Sequence, residues 1–271
     1  MESFLSYEFL RRALVMALVS GGVCGALGVF VVLWRMSLVG VCISHAAFAG
    51  ALLALWLGFP PLAGGLAAAL GAASLAGPLA ERPGFSLDTA MGVIFSLVMS
   101  VAMLALGLLP GARTEGLGLI WGSLLTVTDF DLGLMGAAAL LLCLVLLLFF
   151  KEIQAIIGQS RTALAAGIPV RAIRYASLLL LGLVVAFALK AVGGLLIYSL
   201  IVTPAATALQ LTYSLRGMFL LSAFLGAAAA VAGLWLSFRF SLPAGAAIVL
   251  VAALVLALSL VFSPKKDGRR P

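Results

Sequence analysis

The length of the uncharged apolar runs constrains this chain more than any other feature of its sequence. From Met36 to Ala80 there is no Asp, Glu, Lys or Arg, and charged residues make up only 9% of the whole chain. A soluble domain carries about 25% charged residues, and about 20 consecutive apolar residues are enough to cross a bilayer as a helix. Because the runs are continuous rather than alternating, they predict an all-α polytopic membrane protein.

Glycine and proline clusters divide the apolar sequence into about nine predicted transmembrane helices, with eight as the alternative count. The clusters lie at 58–61, 81–84, 110–111 and 241–243, and they break helices because proline removes a backbone donor and glycine favours turns. The predicted spans are residues 13–33, 38–57, 62–80, 89–109, 132–150, 172–189, 191–212, 217–238 and 244–262. We interpret the glycine-rich stretch 115–131 as a re-entrant or interfacial segment, since broken backbone at membrane depth must be buried in protein.

The basic residues predict the orientation of these spans. If the N-terminus lies outside, eleven of the 16 Lys and Arg residues fall in inside loops and five lie outside. The inside set is Arg35, Arg82, Lys151, Arg161, Arg171, Arg174, Arg216, Lys265, Lys266, Arg269 and Arg270, and the outside set is Arg11, Arg12, Arg113, Lys190 and Arg239. Because cytoplasmic loops are enriched in Lys and Arg, we expect one transmembrane domain over 1–271, with an amphipathic outer lead-in at 1–12 and a cytoplasmic tail at 263–271. Topology and anionic membrane lipid account for the net charge of +7, so no nucleic-acid partner is predicted.

The sequence lacks the motifs of several enzyme classes. There is no Walker A loop, HExxH pair, Ser/His/Asp set or carboxylate pair, so the chain is predicted not to hydrolyse ATP, not to be an enzyme and not to bind a cofactor. Cys24, Cys42 and Cys143 lie inside apolar runs and are interpreted as packing residues. Two alternatives for such a chain are an intramembrane enzyme that uses His45, Asp129 or Asp131, which no residue spacing supports, and a secondary transporter that works alone. The scarcity of carboxylates within the spans disfavours the second, because proton coupling usually relies on them.

His45 is the only histidine in the chain, and it lies in the middle of the charge-free run. An ionisable side chain inside a membrane is either a structural hydrogen-bonding group or part of a substrate pathway. The residues alone favour the structural interpretation.

Glycine and proline inside the spans also have two interpretations each. Gly21 and Gly25 form a GxxxG spacing in the first span, which is typical of close helix packing, either within the bundle or at a subunit interface. Thr203 and Pro204 lie in the middle of the seventh span, where a proline kink is either structural or lines a pathway.

Charged residues at the ends of spans are candidates for structural or gating roles. Asp88 begins the fourth span, where a carboxylate serves as an N-cap and as a partner of the helix dipole. Lys190 either snorkels outward or lies inside, beside the break at Gly193-Gly194. Asp129 and Asp131 are expected to be solvated on the outer side.

The segment 151–174 is the only sizeable polar stretch predicted on the inside. Ser160 is predicted to cap a short helix over 161–166, which Gly167 ends and Pro169 prevents from resuming at once. The segment is either a plain connection or a docking helix for a cytoplasmic partner.

Four stretches carry a family resemblance. They are RMSLVGVCISHAAFAG around His45, LDTAMGVIFS from 87 to 96, ALAAGIPV with Ala163 and Gly167 at the family's spacing, and KAVGGLLIYSLIVTPAATA from 190 to 208, the most specific. LPAGAAIVL from Leu242 fits too. Over roughly residues 13–262, the chain resembles the ABC-3 family, the membrane permease subunits of zinc, manganese and iron ABC importers.

This resemblance implies a type II, vitamin-B12-importer-like permease fold in a bacterial cell membrane. It implies a homodimer that carries a divalent metal ion, binds cytoplasmic ATPase subunits that use ATP, and receives the ion from an extracellular or periplasmic binding protein. The implied pathway residues are His45, with a metal-ligating role, Ser44, Thr203 and Pro204. The implied ATPase-coupling residues are Ser160, Ala163, Ala166, Gly167, Ile168 and Pro169. The implied structural or gating residues are Asp88, Lys190, Gly193 and Gly194.

Two positions depart from the family pattern. The family usually reads Gly-Asp-x-x-Ser-His at the histidine, which places Asp and His on one helix face as a pair suited to a borderline divalent cation. This chain has Val41 at the aspartate position, and Gln159 replaces an aspartate before the coupling helix. Either one histidine is enough for weak, transient binding, or Ser44 or the Thr203 region substitutes, or the substrate differs.

Overall fold

The computed structural model describes residues 8–80, 87–108, 118, 122, 124–194, 197–263 and 265. These residues form nine α-helices, one 3-10 turn and no strand. The helices are α1 (Glu8–Leu33), α2 (Ser37–Trp56), α3 (Pro61–Ala80), α4 (Leu87–Leu108), α5 (Asp129–Ala165), α6 (Val170–Val192), α7 (Ile197–Leu211), α8 (Leu215–Phe240) and α9 (Ala244–Val261), and the 3-10 turn is Leu124–Thr126. Eight of these helices are long and apolar enough to cross a membrane, and α7, with 15 residues, is shorter. The predicted all-α fold is confirmed.

The start of α1 and the two helix ends beside Gly193 differ from the predicted spans. The first helix begins at Glu8, so the described part of the predicted lead-in is the start of α1 and not a separate segment. α6 continues to Val192, where Gly193 ends it with a φ of 92° and donates its N–H to the Leu189 carbonyl. Because the helix ends there, α7 begins at Ile197 and not at 191.

The fifth helix is much longer than predicted. α5 has 37 residues and passes well beyond the predicted end at 150, into the segment interpreted as a cytoplasmic loop. It stays helical because Ile153 and Ile156 lie on one face and are fully buried. Non-helical backbone at Phe149 and Gln159 interrupts it twice, and the second break separates residues 160–165 as a short helix of their own.

The contact between α1 and α8 depends on glycine. A Cβ atom added at Gly21 would lie 2.4 Å from the Gly226 carbonyl oxygen, and one at Gly25 would lie 2.3 Å from that of Ser222. The Ser222 hydroxyl donates a hydrogen bond to the Gly25 carbonyl. The GxxxG of α1 is therefore used inside the bundle, as the packing interpretation predicts, and not at a subunit interface. We call this contact the α1–α8 seam.

The two ends of the bundle differ in their charges. At the end where α1 begins, which we call the N-terminal face, Arg12 pairs with Glu8 at 2.7 Å and with Asp129 at 2.8 Å, and Lys190 pairs with Asp131 at 2.7 Å. At the opposite end, which we call the basic face, cations lie over aromatic rings: Arg174 over Trp34, Arg216 over Phe150 and Lys265 over Tyr213. Carboxylates therefore pair with Arg12 and Lys190 at the first face, whereas Arg174, Arg216 and Lys265 stack on rings at the second.

The prediction that Asp131 is solvated is wrong. Only 15% of its side chain is exposed, and it accepts hydrogen bonds from the backbone and hydroxyl of Thr128 in addition to the Lys190 amine. Asp129, at 73% exposure, does face solvent. Most of the predicted re-entrant stretch lies outside the described residues. Its Gly122 packs against the backbone at Val192 and Gly193, and Leu124 is buried.

Candidate functional site

His45 lies halfway along α2, with its ring partly buried. Its Nδ1 atom is 2.9 Å from the Val41 carbonyl oxygen. A carbonyl can only accept, so this contact requires a proton on Nδ1, and in the neutral tautomer with that proton the lone pair lies on Nε2. The ring meets Phe95 of α4 edge to face, with 5.1 Å between the centroids. The backbone and the phenyl ring together fix the tautomer and the direction of the imidazole.

This arrangement is the one that commonly supports a metal-ligating histidine, in which one ring nitrogen donates to a backbone carbonyl and the other faces the metal. Within the described residues, however, no group of three or more His, Cys, Asp and Glu side chains converges to hold an ion. In the part of the chain that the structure describes, His45 is therefore a single potential ligand that does not belong to a cluster of three or more such side chains.

The Val41 backbone organises the neighbourhood of His45, a role that the sequence analysis missed. Its carbonyl oxygen accepts from the Ser44 hydroxyl at 2.9 Å as well as from His45. Ser44 is fully buried, and its hydroxyl is 3.5 Å from the His45 ring. Phe95 was missed too, although it lies within the LDTAMGVIFS stretch that carries part of the family resemblance.

The structure does not bring Thr203 and Pro204 next to His45. The α2–α7 contact places Gly40 against Tyr198, and Phe48 against Gly194, so the two helices run in opposite directions. From the Gly40–Tyr198 contact, His45 lies five residues towards the N-terminal face and Thr203 five residues towards the basic face. At about 1.5 Å per residue, the two side chains are separated by about 15 Å along the helix axes.

The proline of α7 lies against α1. Pro204 is buried, and because it has no N–H, the Leu200 carbonyl loses its usual helical partner. A Cβ added at Gly28 of α1 would overlap the Ile201 carbonyl. Pro204 therefore lies three residues from the position where the α7 backbone approaches Gly28 of α1.

The short helix over 160–165 has the predicted C-terminal geometry. Gly167 adopts a φ of 82°, and the N–H groups of Gly167 and Ile168 donate to the carbonyls of Leu164 and Ala163, which together form a Schellman motif. The predicted cap by Ser160 is wrong, because its hydroxyl donates back to the Ile156 carbonyl. The extended residue before the helix is instead Gln159, whose side-chain oxygen accepts from Thr162.

A small apolar cluster holds this helix against the ends of α1 and α6. Ile156, Ala163 and Val170 are buried in it, with Trp34 and Ile168 packed around them. Arg174 of α6 donates to the Ser160 hydroxyl at 2.8 Å and lies 5.8 Å from the Trp34 ring centre. Leu164 points away from the cluster and is 62% exposed. The helix therefore has one anchored face and one free face, and Ala166 and Pro169 beyond it are exposed as well.

The predicted gating residues have separate environments. Lys190 pairs with Asp131 and so ties α6 to α5 at the N-terminal face. A Cβ at Gly194 would lie 3.0 Å from Phe48, so the break after α6 packs directly on α2. Asp88 lies in the first turn of α4, but the helix already includes Leu87, so Asp88 is not its N-cap. The structure does not describe the Asp88 side chain.

At the basic face, Lys265 closes the C-terminus of α7. Its amine donates to the carbonyls of Leu209 and Thr212 and lies 4.6 Å from the Tyr213 ring centre. Burial lowers the pKa of this amine. A cation at the C-terminus of a helix is favourable because it complements the helix dipole.

The fold and these sites define a class of protein, the polytopic α-helical membrane permease. A family model described as the ABC 3 transport family matches residues 6–263, and the chain belongs to this family. It is 34% identical over 268 residues to the manganese transport system membrane protein MntC of Halalkalibacterium halodurans, covering 98% of this chain and 91% of that protein. It is 31% identical to the chelated iron transport system membrane protein YfeD of Yersinia pestis, covering 97% and 90%.

Solved structures agree with this assignment. A chain of PsaBC from Streptococcus pneumoniae, solved in complex with a Fab, superposes with a TM-score of 0.88 and 33% identity, covering 98% of this chain and 96% of that one. An inward-facing metal-chelate type ABC transporter shares the fold, with a TM-score of 0.77, 16% identity and coverage of 93% and 86%. The predicted ABC permease fold is confirmed.

Proposed function

We propose that this chain forms the translocation pathway of an ATP-driven importer for manganese or iron. It works as a homodimer with cytoplasmic ATPase subunits, and it receives the metal from an extracellular binding protein. The observation that carries the proposal is the end-to-end likeness to a manganese transport membrane protein, together with a short helix whose free face is offered at the basic end of the bundle. Zinc is the third candidate metal.

The short helix is the coupling element in this proposal. Its anchored face contacts Trp34 at the end of α1 and Arg174 of α6. A displacement of the short helix by a partner bound at Leu164 would therefore be transmitted to both spans. The basic face is then cytoplasmic and the N-terminus lies outside, in accordance with the enrichment of cytoplasmic loops in Lys and Arg.

His45 is the pathway ligand in this proposal. A channel must bind its ion weakly enough to release it, and one oriented imidazole without a second charged ligand meets that need. Manganese prefers oxygen ligands such as carboxylate, carbonyl and water, whereas imidazole suits iron and zinc. A manganese ion would therefore keep most of its water or carbonyl ligands while it passes His45.

The first experiment measures metal uptake. Bacterial cells that lack their own importer would express this chain together with its proposed ATPase and binding-protein partners, and elemental analysis would follow manganese, iron and zinc in competition. We expect manganese or iron to accumulate, and accumulation to stop when the ATPase is deleted. Uptake that persists without the ATPase would instead establish the alternative hypothesis, a stand-alone secondary transporter.

The second experiment tests the docking surface. Leu164→Glu places a charge on the free face of the short helix, and Leu57→Glu is the control, because Leu57 is exposed to a similar degree, 58% against 62%, in the turn that follows α2. We expect the ATPase to co-purify with the control and to be lost from Leu164→Glu. Equal recovery with both variants would remove the short helix from the interface.

A further inference from the structure

A groove opens between α5 and α8 next to the basic face, apart from the pathway and the coupling helix. Its volume is about 690 Å³, and a second groove of about 580 Å³ adjoins it and shares Phe150 and Arg216 with it. The part of the groove that lies farther from the basic face is apolar. Leu147 and Leu220 line its opening and are 81% and 73% exposed. Lys151 and Arg216 line the same groove.

The polar and apolar parts of the groove follow the layers of a bilayer. At about 1.5 Å per residue, Lys151 lies about 33 Å along α5 from Asp129, and the hydrocarbon core of a bilayer is about 30 Å thick. Lys151 is therefore at the membrane boundary, and Leu147 is one turn deeper. On α8, Arg216 follows the N-cap Ser214 closely, and Leu220 is again one turn deeper. Both helices thus place a cation at the boundary and a leucine below it.

Stacking on an aromatic ring holds Arg216, and neither Arg216 nor Lys151 is neutralised by a carboxylate within the described residues. The Arg216 guanidinium lies 5.2 Å from the centre of the Phe150 ring, and Phe150 in turn packs edge to face on the buried Phe219. Within the described part of the chain, neither Arg216 nor Lys151 forms an ion pair. Stacking on an aromatic ring leaves the guanidinium edge free to donate hydrogen bonds to a phosphate.

The carboxylate of Glu152 narrows the class of ligand that the groove could bind. Glu152 lines the groove, and its Oε2 atom has no hydrogen-bond partner within the described residues. With Lys151 and Arg216, the lining carries one net positive charge. A ligand that matches this site has one net negative charge, a phosphate for the two cations, apolar chains for the leucine wall, and a hydroxyl that can donate to the carboxylate.

We propose that the α5–α8 groove binds one molecule of phosphatidylglycerol. Its phosphate lies between Lys151 and Arg216, its glycerol headgroup reaches Glu152, and an acyl chain follows Leu147 and Leu220. A second copy of this chain fits the groove less well, because a twofold interface centred here would bring Lys151 and Arg216 close to their own symmetry mates.

Native mass spectrometry of the full-length protein tests this proposal. The protein would be released from nanodiscs that contain equal amounts of phosphatidylglycerol and phosphatidylethanolamine with identical acyl chains. We expect phosphatidylglycerol to remain bound. Either Lys151→Gln or Arg216→Gln weakens its binding about fivefold, and the double variant about thirtyfold. Arg239→Gln is the matched control, because Arg239 lies at the other end of α8, and it should retain the lipid.

Four results would overturn the proposal: no retained lipid, equal retention of phosphatidylethanolamine, equal loss with Arg239→Gln, or a double variant that binds as before but changes from dimer to monomer. The last result would identify the groove as a protein interface. If the double variant does not fold, Arg216→Lys replaces it, since it keeps the charge and must retain more lipid than Arg216→Gln. Thermal unfolding in nanodiscs gives a second measurement, in which phosphatidylglycerol raises the Tm of the wild type by more than that of either single glutamine variant, and least for the double variant.

Discussion

The α1–α8 seam and the contact between α2 and α4 are built in opposite ways. In the seam, glycines bring backbone against backbone, and a Cβ at Gly25 would lie 2.3 Å from a carbonyl oxygen. Between α2 and α4, side chains fill the space: His45 meets Phe95 at 5.1 Å, and the Cys42 thiol donates to the Met91 carbonyl at 2.8 Å. Backbone contacts have one geometry, whereas side chains can change rotamer. The seam is therefore the more rigid of the two contacts, and the α2–α4 contact keeps the side-chain freedom that the proposed pathway role of His45 requires.

The substitution with the largest expected effect disrupts the α1–α8 seam. Gly25→Ala should destabilise the protein by about 1–3 kcal/mol, because the new methyl group forces two backbones apart. Gly71→Ala is the matched control, since no atom of another part of the chain lies within 4 Å of its added Cβ, and it should keep or slightly raise stability. Thermal unfolding in detergent measures both. A tolerated Gly25→Ala would show that the seam is as adaptable as the α2–α4 contact.

The second prediction separates function from stability. His45→Ala removes the oriented imidazole from a side-chain contact and should reduce metal uptake by at least about tenfold, with a Tm close to that of the wild type. Elemental analysis of cells together with thermal unfolding distinguishes the two properties. Ser74→Ala, an exposed position whose hydroxyl only bonds its own helix, is the control for uptake. Unchanged uptake in His45→Ala would remove this residue from the pathway.

The third prediction adds the carboxylate that the family pattern contains. Val41→Asp places an acid four residues before His45 on the same helix face, and we expect the apparent KM for the metal to fall while the maximal rate falls as well, because release is slowed. Val41→Asn has nearly the same shape without the charge, and it should show neither change. An Asp variant that behaves like the Asn variant would mean that the ion does not pass close to this face of α2.

The smallest expected effect is again in the seam. Ser222→Ala removes the hydroxyl that donates to the Gly25 carbonyl but leaves the glycine packing intact. Hydrogen bonds between membrane helices are worth about 0.6 kcal/mol on average, so the Tm should fall much less than in Gly25→Ala. If the Tm of Ser222→Ala fell as far as that of Gly25→Ala, this hydrogen bond rather than close packing would be the main source of the seam's stability.

Local sequence signals predicted most of the helices and one turn. Apolar runs between proline and glycine breaks placed the spans, and Gly167 was recognised as a helix end because its position requires a positive φ. The sequence does not predict the full length of α5, because the charged pair Lys151 and Glu152 is typical of the end of a membrane span. The helical spacing of the apolar residues Ile153 and Ile156, three positions apart, is the sequence signal that indicates the continuation.

Features that depend on distant residues were out of reach of the sequence. The pairing of Asp131 with Lys190 joins positions on two different helices, and no local pattern indicates it. The tautomer of His45 depends on the direction of its ring relative to the Val41 carbonyl, and that direction is visible only in the three-dimensional structure. The separation of Thr203 from His45 follows from the register between α2 and α7, whereas both residues lie within motifs of the same family resemblance.

The α1–α8 seam can form only late in the synthesis of the chain. Ser222 and Gly25 are 197 positions apart in the sequence, and ribosomes add about 5–20 residues per second. The glycine face of α1 therefore waits roughly 10–40 s in the bilayer before α8 is made. Throughout that interval the nascent protein presents a helix with small side chains and no partner. Stalled or truncated chains that end before α8 keep that face uncovered, which gives membrane proteases and chaperones a feature that distinguishes unfinished protein from finished protein.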